Sequence, residues 1–158
     1  KDPRSMKRKF NEMSKLVTSH PEYKKLLARI GDIVEEVRPD IKQLELTAHQ
    51  VSVLAEIGRP GSNAPEGMHQ DGADYIISAL VVERDGVTGG ESVICGPDKQ
   101  TEYLHHTLRP GQGIFQADQN SPYWHDVTLI RDDPSTPPPD GKRSIFGFDI
   151  DVKEVMAA

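Results

Sequence analysis

At Ile41 the apolar residues of this chain change their spacing, and that change restricts the fold more than anything else in the sequence. Beyond it the pattern is one of strands: alternating or short apolar runs, each ended by glycine, proline or aspartate. Residues 41–48 and 50–57 read as two strands, with His49 between them as a structural residue. Residues 58–65 form a loop by composition. A long buried strand is expected over 75–83, and further strands over 91–95, 101–107, 113–116, 124–130 and 143–150. Asp85-Gly86, Gly96-Pro97-Asp98 and Arg109-Pro110-Gly111 mark turns between them. The proline-rich segment 131–142 is expected to be an exposed connection, because proline cannot donate to a ladder. About eight short strands with Gly/Pro turns make a barrel or two-sheet jelly roll, a mainly β fold.

Ahead of Ile41 the spacing is helical. Met6, Phe10, Met13 and Leu16/Val17 recur every three to four residues, which predicts an amphipathic helix within 1–19. Ser19-His20-Pro21-Glu22 starts a second helix, with proline in the first turn, where its missing N–H has no intrahelical partner to lose. Leu26, Leu27, Ile30, Ile33, Val34 and Val37 form its apolar stripe, and Arg38-Pro39-Asp40 stops it. Both helices are expected to pack on one sheet. The expected organisation is a single domain, with the helices in 1–40 and the β core in 41–158.

Composition removes several classes of function. A formal net charge of −6 argues against a nucleic-acid binder. There is no apolar run of the length needed to span a membrane. The single cysteine, Cys95, cannot form an internal disulfide and fits a reducing compartment. No signal-peptide pattern opens the chain, so a cytoplasmic location is expected.

The chemistry is concentrated around His69-Gln70-Asp71, between a Pro/Gly loop and the long apolar strand. Residues two apart on an extended chain face the same way, so an imidazole and a carboxylate can meet one metal ion. His125, on a later strand, is the expected third ligand. Two histidines and one carboxylate leave coordination positions open, as non-haem Fe(II) oxygenases require. A structural zinc site is disfavoured, because it needs no such open face and there is no cysteine pair. His105 and His106 are adjacent, so only one can point inward, and that one is an alternative to His125. His20 reads as a helix-start residue.

Arg143 opens the final strand. A guanidinium fork matches a carboxylate through two hydrogen bonds, which beside a ferrous site would suit the distal carboxylate of 2-oxoglutarate. Arg131 is the rival anchor, at the mouth of the proline loop; a strand positions a ligand more rigidly than a loop does, which favours Arg143. Ser144 is expected to face away from Arg143 on a regular strand. Tyr75, Glu91, Asp118, Tyr123, Trp124 and Asp126 are candidates to line or buttress the pocket, with Asp126 as the partner that orients His125.

Taken in order, four blocks carry a family likeness: Pro65-Glu66-Gly67-Met68-His69-Gln70-Asp71-Gly72, Gly89-Gly90-Glu91-Ser92, Arg109-Pro110-Gly111-Gln112-Gly113 and Trp124-His125-Asp126. With them the chain resembles the 2-oxoglutarate- and Fe(II)-dependent dioxygenases of the bacterial L-isoleucine hydroxylase type, over roughly residues 41–151. The resemblance implies a double-stranded β-helix, a jelly roll of the cupin-like kind. It implies that His69, Asp71 and His125 are the iron ligands and the catalytic centre, and that Arg143 binds the C5 carboxylate of 2-oxoglutarate. It implies hydroxylation or sulfoxidation of a free L-amino acid with O2. Two readings of another class stand beside it: a metal-binding barrel that serves as a small-molecule binding module, and a metalloenzyme that needs no 2-oxoglutarate.

Overall fold

The computed structural model describes residues 11–136 and 141–156. Of the expected first helix, Met6 and Phe10 lie outside the described residues. What is described is one turn, α1 (Lys15–Thr18), capped by the Ser14 hydroxyl, which accepts from the Leu16 N–H. Leu16 is 83% exposed, so this turn does not bury its leucine as an amphipathic helix would. The second helix, α2 (Pro21–Val37), begins and ends where its signals stand. His20 caps it, Nδ1 accepting from the Glu22 N–H, and Arg38-Pro39-Asp40 ends it.

The β core has nine strands among the described residues: β1 (Ile41–Ala55), β2 (Tyr75–Asp85), β3 (Val87–Gly89), β4 (Ser92–Cys95), β5 (Glu102–His106), β6 (Gly113–Ala117), β7 (Trp124–Val127), β8 (Ile130–Asp132) and β9 (Gly141–Val155). The main sheet has the order β1-β9-β2-β6, all antiparallel. A three-stranded sheet, β5-β4-β7, and the pair β3-β8 complete the β structure. This is the expected mainly β, jelly-roll architecture.

Several strand boundaries differ from those expected, among them the unexpected short strand β3 and the longer β9, and three of the differences have a physical reason. β1 is one strand of 15 residues rather than two. No glycine or proline interrupts Ala48-His49-Gln50, and β9 pairs with β1 without a break from Leu44↔Val152 to Ala55↔Gly141. The expected strand 124–130 is instead β7 and β8, because Thr128 leaves the ladder. Its N–H donates to the Glu91 carbonyl and its Oγ1 accepts from the Glu91 N–H, so the chain changes sheets there. The ends of the proline segment belong to strands: Arg131 lies in β8, and Lys142 in β9.

Alternation along β9 divides the interior into two sides. Phe148 and Ile150 face α2, where Ile30, Val34 and Ile77 pack against them. Ile145 faces the opposite way and packs with Ala79, Val81 and Leu108. β2 stays in step through a register shift between Ile77 and Ala79, a bulge that leaves both Ile77 and Leu80 on the helix side. The other side of the main sheet looks onto a cavity of about 280 Å³, lined also by residues of β7 and the 61–71 loop.

Burial predicts opposite outcomes for two apolar truncations. Ile30→Ala, at a residue 1% exposed, should lower stability by about 2–5 kcal/mol in equilibrium urea unfolding. Leu16→Ala should stay within about 0.5 kcal/mol.

Candidate metal centre

His69 and Asp71 sit on the irregular segment that leads into β2, with His69 in an isolated bridge, and His125 on β7. The two stretches are held by a reciprocal backbone bridge: His69 N–H to His125 carbonyl and His125 N–H to His69 carbonyl, each 3.0 Å. The bridge places the rings 4.3 Å apart between centroids. Asp71 lies between them, Oδ1 3.4 Å from His69 Nε2 and Oδ2 3.4 Å from His125 Nε2. One ligand atom from each of the three falls within 4.8 Å of the others, and among the described residues no other His/Cys/Asp/Glu group does this.

Neighbouring polar groups fix how the ligand atoms are presented. The Gly67 carbonyl accepts from His69 Nδ1 at 2.6 Å, which leaves the Nε2 lone pair facing Asp71. Asp118 is wholly buried. Its Oδ1 accepts from the Asp71 N–H and its Oδ2 from the N–H groups of Gly72 and Ala73. The same Oδ1 stands 4.0 Å from His125 Nδ1, an electrostatic contact longer than a hydrogen bond. Gln70, between the two ligands of the pair, donates to the carbonyls of Asp118, Ser121 and Tyr123.

Charge is balanced within the cluster. Burial raises the Asp71 pKa, but the two imidazoles beside it outweigh that and hold the carboxyl well below its usual range. For His69 burial works against the charged form, yet Asp71, the Gly67 carbonyl and Glu66 together raise the pKa above its ordinary value.

Arg143 lies close behind the cavity wall. It is 0% exposed, and its Nη1 donates to Asn63 Oδ1, a residue that lines the cavity. Its Nε and Nη2 have no hydrogen-bond partner. Burial, with the charge of neighbouring Arg84 adding to it, brings the guanidinium down to about 10. Gly90 leaves room for this side chain: a Cβ there would stand 2.9 Å from Arg143 Cδ and 3.2 Å from Nε. A buried guanidinium with two open donors fits an anionic ligand, since an uncompensated buried charge is strongly destabilising. The imidazole–carboxylate–imidazole set likewise fits a divalent transition metal.

Other candidates lie elsewhere. Arg131 is exposed on β8, so it is not a buried anchor. Ser144 faces away, hydrogen-bonded to Ser52 and Glu83. Asp126 is not the orienting partner of His125; its carboxylate accepts from the adjacent Val127 N–H, and Asp118 stands nearest instead. His105 is exposed on β5 between Glu91 and Glu102, so neither it nor Glu91 reaches the centre. Tyr75 stacks on Phe115, Tyr123 meets Tyr103 edge-on, and Trp124 lies under the Lys99 ammonium. His49 is not a residue between strands. It is inside β1, lines the cavity, and its Nε2 is 2.9 Å from Asp149 Oδ2.

The sequence model of the family described as 2OG-Fe dioxygenase matches residues 2–149 of the chain. Comparison with curated protein sequences produced no match. Among solved structures, the chain is similar to IDO from Bacillus thuringiensis, with a TM-score of 0.76 and 19% identity over 95% of this chain and 64% of that one. It is also similar to a bsmA homologue from Methylobium petroleophilum PM1, with a TM-score of 0.78 and 24% identity over 96% of this chain and 59% of the other. The chain thus spans about three fifths of the length of these two neighbours. At such identities the likeness concerns the fold.

Two measurements test the centre. Asp118→Asn should weaken Mn(II) binding roughly 10- to 100-fold and lower the urea midpoint, while Asp126→Asn leaves the metal affinity in place. Apparent Mn(II) affinity should also fall as pH is lowered from 8 to 6, because metal must displace the proton that His69 holds more firmly than an ordinary histidine. Without metal the sign reverses. The raised His69 pKa stabilises the apoprotein below about 6.5, and that contribution disappears as pH rises through the raised value.

Proposed function

The chain belongs to the 2OG-Fe dioxygenase family, which works with Fe(II) and 2-oxoglutarate, and from that premise we propose that it hydroxylates a small substrate of the free L-amino-acid class. In this reading His69, Asp71 and His125 hold the iron, and Arg143 takes the C5 carboxylate of 2-oxoglutarate. The observation that carries it is the conjunction of the three clustered ligand atoms with a buried, under-partnered guanidinium behind the same cavity. The amino-acid class is supported by the motif likeness to the L-isoleucine hydroxylase type and by the cavity size. About 280 Å³ lies near the lower end for small-ligand sites.

When bound, Fe(II) and 2-oxoglutarate supply the oxidising chemistry: O2, 2-oxoglutarate and substrate become succinate, CO2 and the hydroxylated product. The contribution of the chain is placement. Gly67 keeps the His69 proton on Nδ1, so Nε2 is free to ligate. Asp71 directs one oxygen toward each histidine, so these three residues would hold the metal together. Asp118 holds the backbone of 71–73 against the 118–123 turn, so the ligand pair does not depend on a loose loop. Arg143 presents Nε and Nη2, two donors in the fork that a carboxylate matches. Val51, Val127 and Ile145 make part of the cavity wall apolar.

The test is an anaerobic titration of the apoprotein with Fe(II) and then 2-oxoglutarate. A weak visible charge-transfer band should appear only when both are present. Arg143→Gln should raise the 2-oxoglutarate concentration needed by tenfold or more, roughly the effect of losing a charge-assisted pair, while Fe(II) still binds. His125→Ala should abolish succinate formation. Tight iron binding without the band would favour the binding-module or 2-oxoglutarate-independent readings.

A further inference from the structure

The inward face of β9 carries four residues at alternate positions: Arg143, Ile145, Gly147 and Asp149. At about 3.3 Å per residue the first and last stand roughly 20 Å apart along the strand. Arg143 is buried at one end. Asp149 lines the cavity at the other, with its side chain 32% exposed. Between them the strand offers one apolar side chain and one glycine. A Cβ at Gly147 would meet nothing closer than the Ile77 carbonyl at 3.8 Å, so the absence of a side chain there leaves usable space.

The cavity lining carries three carboxylates and three imidazoles, those of His49, His69 and His125. It contains the carboxylates of Glu66, Asp71 and Asp149, and among its described residues there is no lysine or arginine. Asp71 belongs to the metal cluster, and Glu66 stands 3.5 Å from His69. Asp149 lies on β9, a different element from both. It is held by His49 from the adjacent strand, Nε2 to Oδ2 at 2.9 Å. A carboxylate fixed in this way at a cavity wall is a preorganised acceptor for a cation. The wall beside it is apolar, with Val51 and Ile145 in cross-strand register.

We propose that Asp149, positioned by His49, receives the protonated amino group of the substrate. The substrate class is then a small primary amine with an aliphatic chain, its carbon skeleton lying over Gly147 and Ile145. β9 sorts two ligands by charge: the anionic cosubstrate belongs at the Arg143 end, the cationic head of the substrate at the Asp149 end. The assignment rests on the iron and 2-oxoglutarate reading above.

The experiment is calorimetric titration of the protein loaded with redox-inert Mn(II) and 2-oxoglutarate. The probes are L-leucine, L-isoleucine and L-methionine, each against the 2-hydroxy acid of the same carbon skeleton, in which a neutral hydroxyl replaces the ammonium. At least one amino acid should bind, its hydroxy counterpart weaker by tenfold or more, about the worth of a charge-assisted hydrogen bond. Asp149→Asn should weaken the amine and narrow that gap. Equal binding of the paired probes to the wild-type protein overturns the proposal, and so does the absence of binding by any of the amines. It is also overturned if Asp149→Asn lowers the Tm but leaves the gap unchanged, because a merely structural pair would behave that way. Failure of Mn(II)-loaded wild-type protein to bind 2-oxoglutarate at all would instead overturn the reading on which the proposal rests.

Discussion

Asp118 has no contact with solvent, and its two oxygens receive the backbone N–H groups of Asp71, Gly72 and Ala73. Those three donors belong to the turn between the ligand pair and β2, where no ladder could satisfy them. A buried N–H without a partner costs about 1–3 kcal/mol, so the carboxylate removes a large penalty from a segment that must stay irregular. Gln70 adds three contacts to the same turn from the opposite side. Together they fasten the His69–Asp71 stretch to the connection between β6 and β7. His125 on β7 then meets His69 through the reciprocal backbone bridge. The spacing of the three ligand side chains is thus set mainly by hydrogen bonds to backbone, which do not shift with rotamer.

The main sheet serves the site through the two faces of β9. One face packs Phe148 and Ile150 against Ile30 and Val34 of α2 and anchors the strand in the core. The other presents Arg143, Ile145 and Asp149 to the interior of the jelly roll. Because side chains alternate along a strand, a register slip of one residue would bury the charges under the helix and take Phe148 and Ile150 out of their packing against α2. Long pairing with β1 on one side and β2 on the other makes such a slip improbable. Keeping Arg143 charged in this setting is unfavourable by itself, as its lowered pKa reflects. That cost is the physical reason to read the position as a ligand anchor rather than as part of the core.

Some features of the site were readable from the chain because their residue types announce the chemistry. His69, Asp71 and His125 combine metal-ligating side chains with strand spacing, and the structure brings their ligand atoms together. Arg143 was readable as an arginine opening an apolar strand. Asp118 was less so, since a carboxylate that accepts backbone N–H groups resembles any aspartate beside a turn. Asp126 was the nearer choice in sequence, yet its side chain turns back onto the next N–H. His49 was misplaced for a related reason. The polar pair His49-Gln50 in an apolar run imitates a break between strands, and the partner of His49, Asp149, lies 100 residues away.

What the sequence determined by itself is local or additive: the helix that starts at Pro21, the change to strand period at Ile41, the jelly-roll class, and the choice of His69, Asp71 and His125 as candidate metal ligands. These depend on spacing, on glycine and proline, and on donor chemistry, all of which are written in neighbouring residues. Tertiary structure decided which carboxylate faces His125, that β1 runs unbroken through His49, and that Thr128 carries the chain from one sheet to another. It also decided that Arg143 is buried while Arg131 is exposed. Each of these depends on contacts between residues far apart in the chain, where burial and hydrogen-bond satisfaction outweigh local preference.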